Sequence, residues 1–134
     1  MTNYDDIDFS ALDALAEGEV VTHSLVRDIR LPSGKVLALI TLDNGRDHTR
    51  PNTFGPTTPV ELGETLDALA ARAASGEIQA VGVTGKQYIL AAGADLSDIS
   101  RVPSKEVARL VAQLGHKVLG KLSTLGVPSF AFVN

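Results

Sequence analysis

A run of small residues followed by an aspartate and a leucine, A-A-G-A-D-L at positions 91–96, stands in the middle of the sequence. The methyl side chains of Ala92 and Ala94 are too small to cover their own amides, and Gly93 can adopt dihedral angles that other residues resist. If the aspartate and leucine begin a helix, unpaired amides and the positive end of a helix dipole lie at the same point. The pattern predicts a backbone N–H that can meet a ligand oxygen, which is half of an oxyanion hole.

Several β-rich runs must position this segment. Val20–Val26 and Val36–Leu42 flank a turn that contains proline and glycine, which predicts an antiparallel hairpin. The second run is apolar almost throughout, so we expect it to be buried on both faces. Residues 78–84 predict a further buried strand that leads directly into the small-residue run. Residues 127–134 are typical of a buried last strand, and we therefore expect that the natural chain continues beyond them.

Three helices are expected around these strands. Thr58 is predicted to cap the first long helix, with proline at the next position and Glu61 completing a capping box, and the helix ends at Ser75-Gly76. A second long helix opens at residues 103–106 and stops at Gly126 and Pro128. Asp8 or Ser10 could cap a shorter helix near the start of the chain.

The loop at residues 43–58 has no periodicity and is rich in turn-forming residues, and loops of this length in compact domains are commonly functional. Arg46 and Arg50 both lie in this loop. His23, His48 and His116 are too scattered to form a metal site by their spacing.

Composition limits the possible functions. The 134 residues suit one domain, and the net charge of −4 argues against nucleic acid as a partner. The chain has no cysteine, which excludes disulfides and thiolate chemistry. Apolar runs stay below the roughly 18 residues that a membrane span needs, and the acidic start lacks the basic region of a signal peptide. We therefore expect no membrane association and a cytoplasmic location.

The order strand, Thr84-Gly85, then A-A-G-A-D resembles the crotonase (enoyl-CoA hydratase/isomerase) superfamily. The resemblance extends from Val20 to Asn134 and leaves residues 1–19 as an N-terminal arm. It implies an α/β fold of the ClpP/crotonase type, a β-β-α spiral of which this chain is the N-terminal portion. It further implies an acyl-CoA thioester as substrate and assembly into homo-oligomers.

The resemblance also implies roles for single residues. The amide of Ala94 would be the first of two donors to the thioester oxygen, and Ala92, Asp95 and Leu96 would lie against the adenine end of coenzyme A. The loop at residues 43–58 would pass the phosphates of coenzyme A, so Arg46 and Arg50 would be candidates to contact them, because a guanidinium group offers paired donors. The alternative is that both are solvated loop arginines. The chain departs from the common pattern at two positions, where Leu90 replaces an aromatic residue and Ser97 replaces a lysine that usually contacts coenzyme A.

The chain is most similar to the hydratase part of bacterial multifunctional fatty-oxidation proteins, in which a 3-hydroxyacyl-CoA dehydrogenase follows. NAD is expected only if such a domain is present in the parent protein. In the family, the second oxyanion donor and both catalytic glutamates lie beyond the position of Asn134, so we predict that this chain alone is inactive. The alternative is a non-catalytic module that binds acyl-CoA or pairs with another subunit.

Overall fold

The computed structural model describes residue 4, residues 7–94 and residues 100–134. Within these residues four strands form one sheet in the order β1-β2-β3-β4. The strands are β1 (His23–Arg30), β2 (Val36–Asp43), β3 (Ala80–Gly85) and β4 (Ser129–Phe132). β1 is antiparallel to β2, whereas β3 and β4 run parallel to their neighbours.

The hairpin predicted from the sequence is confirmed. The Gly34 amide donates to the Leu31 carbonyl at 2.9 Å, and Gly34 has a φ of +82°, which favours glycine. β1 begins at His23 and not at Val20 as expected, because the preceding residues bond elsewhere. The Thr22 amide donates to the Thr58 side chain at 3.0 Å and so leads the chain past the next helix before it joins the sheet.

The helices occupy the predicted places. A 3₁₀ turn at Phe9–Ala11, capped by the Asp8 side chain, precedes the short α1 (Asp13–Ala16). α2 spans Thr57–Ala74 and α3 spans Lys105–Gly120. α3 is shorter than expected: a 3₁₀ turn at residues 121–123 replaces its last predicted turn.

The start of α2 differs from the prediction, since Thr58 lies inside the helix and does not cap it. The Glu19 carboxylate supplies the cap instead, accepting from the amides of Thr57 at 2.9 Å and Thr58 at 3.2 Å. Glu61 does not complete a capping box, because its side chain accepts from the Ser24 amide of β1 at 2.8 Å. A carboxylate from a distant segment thus satisfies the first amides of the helix and complements its dipole.

The core lies between one face of the sheet and the two long helices. Its fully buried members include Ile40 of β2, Val81 of β3, Leu66 of α2 and Leu114 of α3. Leu12 and other apolar residues near the start of the chain join the same cluster. Leucines at helical spacing along α2 and α3 form this layer because they share one helix face.

The other face of the sheet carries apolar side chains with little cover, and we call it the open sheet face. The expected burial of β2 on both faces is therefore wrong, because Leu37 and Leu39 point to this side and are half-buried. β4 was also expected to be buried, yet Phe130 and Phe132 are 51% and 47% exposed. Leu25 of β1, on the same face, is 54% exposed. The described residues place no second layer here.

Candidate functional site

Thr84-Gly85 ends β3 at a point where the chain folds back on itself. A Cβ at Gly85 would lie 2.0 Å from the Ile89 carbonyl oxygen and 2.4 Å from Leu90 Cα, so only glycine allows this approach. Lys86 and Ile89 form a bridge, with the Ile89 amide donating to the Lys86 carbonyl at 3.1 Å. This tight turn sends the small-residue run back past the end of β2.

The run then pairs with residues 52–54 of the long loop. The Ala92 amide donates to the Asn52 carbonyl at 2.8 Å, and the Phe54 amide donates to the Gly93 carbonyl at 2.9 Å. Gly93 has a φ of +87°, as the sequence pattern suggested. The loop and the run therefore form one short ladder beside the end of the sheet.

This ladder determines the direction of the Ala94 amide. The peptide bond between Gly93 and Ala94 is trans and planar, so its N–H points away from its carbonyl. Because the Gly93 carbonyl faces Phe54, the Ala94 N–H faces the opposite way. Among the described residues it has no hydrogen-bond acceptor, which leaves it able to donate to a ligand.

Asn52 holds the ladder in place. Its side chain is completely buried and donates through Nδ2 to the carbonyls of Leu42 at 2.7 Å and Leu90 at 2.9 Å. Its Oδ1 accepts from the Asn44 amide at 3.1 Å. One amide side chain thus joins the end of β2, the loop and the segment that precedes Ala92, and it uses both of its donors.

An open cleft of about 620 Å³ lies along this ladder. It brings together three of the predicted site residues, Ala92, Ala94 and Arg50, and also Arg46. The complete lining among the described residues is Val20, Asn44, Arg46, Asp47, Arg50, Pro51, Thr53, Ala92 and Ala94. Asp95 and Leu96, the other two predicted contacts, lie outside the described residues, as does Ser97.

The charged side chains of the cleft that can bind a ligand are positively charged. Arg46 and Arg50 are exposed, and no ion pair or hydrogen bond of either guanidinium group to another described residue is present. Asp47 is the acidic member of the lining, and hydrogen bonds from the Thr49 side chain and amide lower the pKa of its carboxyl below the usual value. Oδ1 of this carboxylate accepts both bonds within its own turn, whereas the two guanidinium groups can bind an anion.

Sequence reasoning missed two polar residues at this site. These are the buried side chains of Asn52 and Lys86. Neither has a local signal, because their partners lie between 8 and 42 residues away in the chain.

In the described part of the chain no group of histidine and acidic side chains could hold a metal ion. No helix there has the length and apolar character to cross a membrane.

Comparison with known proteins gives a small number of partial matches to curated sequences. No protein-family model matches the sequence. The 4-chlorobenzoyl coenzyme A dehalogenase-2 of Arthrobacter sp is 30% identical over 89 residues, which are 64% of this chain and 32% of that protein. The fatty acid oxidation complex subunit alpha of Shewanella frigidimarina (strain NCIMB 400) is 29% identical over 100 residues, which are 73% of this chain and 13% of that protein. The chain thus spans about a third or less of these curated relatives.

Solved structures give the fold. The enoyl-CoA hydratase from Bacillus anthracis superposes with a TM-score of 0.65 at 20% identity, covering 81% of this chain and 39% of the other. Pseudomonas aeruginosa DspI superposes with a TM-score of 0.63 at 25% identity, covering 89% of this chain and 41% of the other. The resemblance noted in the sequence is confirmed: this chain has the fold of the crotonase (enoyl-CoA hydratase/isomerase) superfamily and spans part of one such domain.

Proposed function

We propose that this chain is the part of an enoyl-CoA hydratase/isomerase-type domain that binds the thioester of an acyl-CoA substrate. The thioester oxygen accepts a hydrogen bond from the Ala94 amide, and the phosphates of coenzyme A lie near Arg46 and Arg50. Ala92, Asp95 and Leu96 contact the adenine end. The proposal is supported by the superfamily fold and by the coenzyme A thioester that the name of one relative states as its substrate.

The direction of the Ala94 amide is the observation that carries this function. Ala94 lines the cleft, its amide has no acceptor among the described residues, and the orientation of that amide follows from the bond between Phe54 and Gly93. A donor aimed at the place where negative charge develops stabilises an enolate without reorganisation. Removal of one such donor typically costs about 2.7–4 kcal/mol of transition-state stabilisation.

Ala94→Pro tests this role directly. Proline removes the amide hydrogen, yet the neighbouring ladder bond survives because it uses the Gly93 carbonyl and the Phe54 amide. We expect binding of acetoacetyl-CoA, measured by calorimetry, to be lost in Ala94→Pro and retained in Ala94→Gly, which keeps the amide. Unchanged binding in a folded Ala94→Pro protein, verified by circular dichroism, would show that the amide has no such role.

We further infer that the described chain does not hydrate enoyl-CoA on its own. Hydration needs carboxylates that act as base and acid on a positioned water, and a second amide donor. No carboxylate other than that of Asp47 lines the described cleft, and its Oδ1 accepts from the amide and the hydroxyl of Thr49. Purified chain is expected to give no turnover of crotonyl-CoA in an ultraviolet absorbance assay of the enoyl thioester, and steady catalytic turnover would refute the inference.

The similarity to a fatty acid oxidation subunit supports a role of the parent protein in β-oxidation of fatty acids. If a 3-hydroxyacyl-CoA dehydrogenase domain follows in that parent, NAD is its cofactor. Detection of the natural protein with an antibody against this chain tests this extension: a band much larger than 14.1 kDa supports it. A band near that mass would favour the second candidate function below.

The second candidate is a non-catalytic module that binds acyl-CoA or associates with another subunit. It is favoured by the open sheet face, where Leu25, Phe130 and Phe132 are about half exposed. Exposed apolar surface of this extent is typical of surfaces that pack against a partner. Sedimentation over a range of concentrations tests association, since a monomeric mass at every concentration would exclude self-assembly.

A further inference from the structure

Lys86 lies beside the cleft, and among the described residues the hydrogen bonds of its ammonium group all go to the loop at residues 44–50. The residue is 8% exposed, and its backbone amide donates to the Leu42 carbonyl at the end of β2 at 3.0 Å. From this rigid position the ammonium group reaches the loop at residues 44–50. Nζ donates to the carbonyl oxygens of Arg46 at 2.9 Å and Arg50 at 2.6 Å, and to Oδ1 of Asn44.

The choice of acceptors is informative, because two of the three belong to the residues whose guanidinium groups line the cleft. An ammonium group has three hydrogens and no acceptor, so three acceptors use its full capacity. Lys86 is therefore not a phosphate ligand, although it lies beside the cleft. What it does is hold the backbone of Arg46 and Arg50 at a set distance from β2.

Two further bonds connect Asn44, one of the partners of this cation, to the rest of the loop. The Asn44 side chain accepts from Lys86 and donates through Nδ2 to the Pro51 carbonyl at 2.9 Å, and the Arg46 amide donates to Oδ1 of Asn44 at 3.1 Å. The loop closes on Lys86 and Asn44, without a strand of its own over residues 45–50. A buried charge that loses its partners is costly, so the cation and these acceptors hold each other in place.

We propose that Lys86 is a positioning residue for the phosphate end of the ligand: by binding the Arg46 and Arg50 carbonyls, it keeps both guanidinium groups at the cleft. This inference rests on the proposed function, since it takes coenzyme A as the ligand. Its positive charge behind the loop also adds to the potential that attracts an anion. The geometry assigns the thioester end of the ligand to the backbone ladder, which Lys86 does not contact through its side chain.

Lys86→Met tests the proposal, with Lys35→Met as the matched control. Lys35 is exposed in the hairpin turn, so the control removes the same charge without touching the loop. Binding is measured by calorimetry for acetoacetyl-CoA and for acetoacetyl-pantetheine, which has the thioester but no nucleotide. We expect Lys86→Met to bind acetoacetyl-CoA about tenfold more weakly than the wild type does. Its affinity for acetoacetyl-pantetheine should fall by less than about twofold, because only the phosphate contacts are mispositioned. Lys35→Met should match the wild type with both.

A second measurement needs no ligand. Hydrogen exchange of the amides at residues 45–50 is expected to be at least about tenfold faster in Lys86→Met, while α2 keeps its protection, because local opening of the loop does not require global unfolding. If Lys86→Met does not fold, Lys86→Gln, which keeps two donors on a shorter side chain, should give a smaller change in the same direction.

The outcomes separate the two proposals. Equal weakening of both ligands by Lys86→Met, or unchanged exchange in the loop, would overturn the positioning role and leave the proposed function intact. Failure of the wild-type chain to bind either thioester would refute the proposed function, and the exchange data would then show whether Lys86 still orders the loop.

Discussion

Asn52→Ala is the substitution that tests most directly how the site is held together. The side chain is fully buried and makes three hydrogen bonds, to Leu42, Leu90 and Asn44. Alanine leaves those backbone groups without this partner and opens a small void. The ladder between residues 52–54 and 92–94 loses the side chain that ties it to the end of β2.

The magnitude follows from the three partners taken separately. The Leu42 carbonyl retains a bond from the Lys86 amide at 3.0 Å, so its loss is at the low end, about 0.5 kcal/mol. Among the described residues, the Leu90 carbonyl has no other donor and the Asn44 amide has no other acceptor. Each of these groups costs about 1–1.5 kcal/mol when it is left unpaired. The sum predicts a loss of about 3 kcal/mol in the free energy of unfolding.

Urea unfolding monitored by circular dichroism measures this loss. Asn134→Ala is the control, because it removes one hydrogen bond at an exposed residue, from Asn134 to the Lys86 carbonyl, and should cost about 0.5 kcal/mol. Asn52→Asp should also be destabilising at neutral pH, since a carboxylate would face two carbonyl oxygens, and less so in acid, where protonation restores a donor. A loss in Asn52→Ala no larger than that in Asn134→Ala would refute the assigned role.

Three further substitutions test other parts of the structure. Gly85→Ala forces a Cβ to within 2.0 Å of the Ile89 carbonyl oxygen, so we expect a loss at or above the upper end of about 1–3 kcal/mol, and an unchanged urea midpoint would contradict the close approach. Leu66→Ala, at a side chain that is 1% exposed between α2 and the sheet, should cost about 2–5 kcal/mol in thermal unfolding, and a loss below that range would mean that the site collapses around the void. Thr49→Val removes the hydroxyl donor that contributes most to the lowered pKa of Asp47, so this pKa should rise toward 3.8 in a carbon-detected NMR titration, and no rise would exclude the bond. A carboxyl pKa that is lower in the folded chain than in the unfolded chain stabilises the fold above the unfolded value, and this stabilisation is lost as the pH falls through the folded value. Because Thr49→Val removes part of this stabilisation, the variant should lose less stability than the wild type when the pH is lowered.

Local sequence patterns were sufficient for the elements and for part of the site. The turn with proline and glycine predicted the hairpin, and the residues that begin and end helices predicted α2 and α3. The small residues around Gly93 indicated an exposed backbone, and the structure places Ala92 and Ala94 in the cleft with Arg50. These features were predictable because propensity, periodicity and side-chain size act over a few residues.

The failures of prediction have a common cause in long-range contacts. Thr58 had every local property of an N-cap, yet Glu19 reaches the first amides of α2 from 38 residues away. The apolar run of β2 suggested burial on both sides, but whether a sheet face is covered depends on which elements pack against it. Hydrophobicity along the chain shows that a face needs cover and does not show what covers it.

The sequence by itself was sufficient to predict a mixed α/β fold, two long helices and a stretch of small residues that leaves its backbone exposed. Only the tertiary structure decided which amide is available, because the direction of the Ala94 N–H depends on the bond between Phe54 and Gly93, 39 residues apart in the chain. It also decided that Lys86 and Asn52 hold the loop and the ladder together, since their acceptors come from different segments. A buried polar side chain must find partners wherever the fold brings them, and that choice is made by packing across the chain and not by neighbours along it.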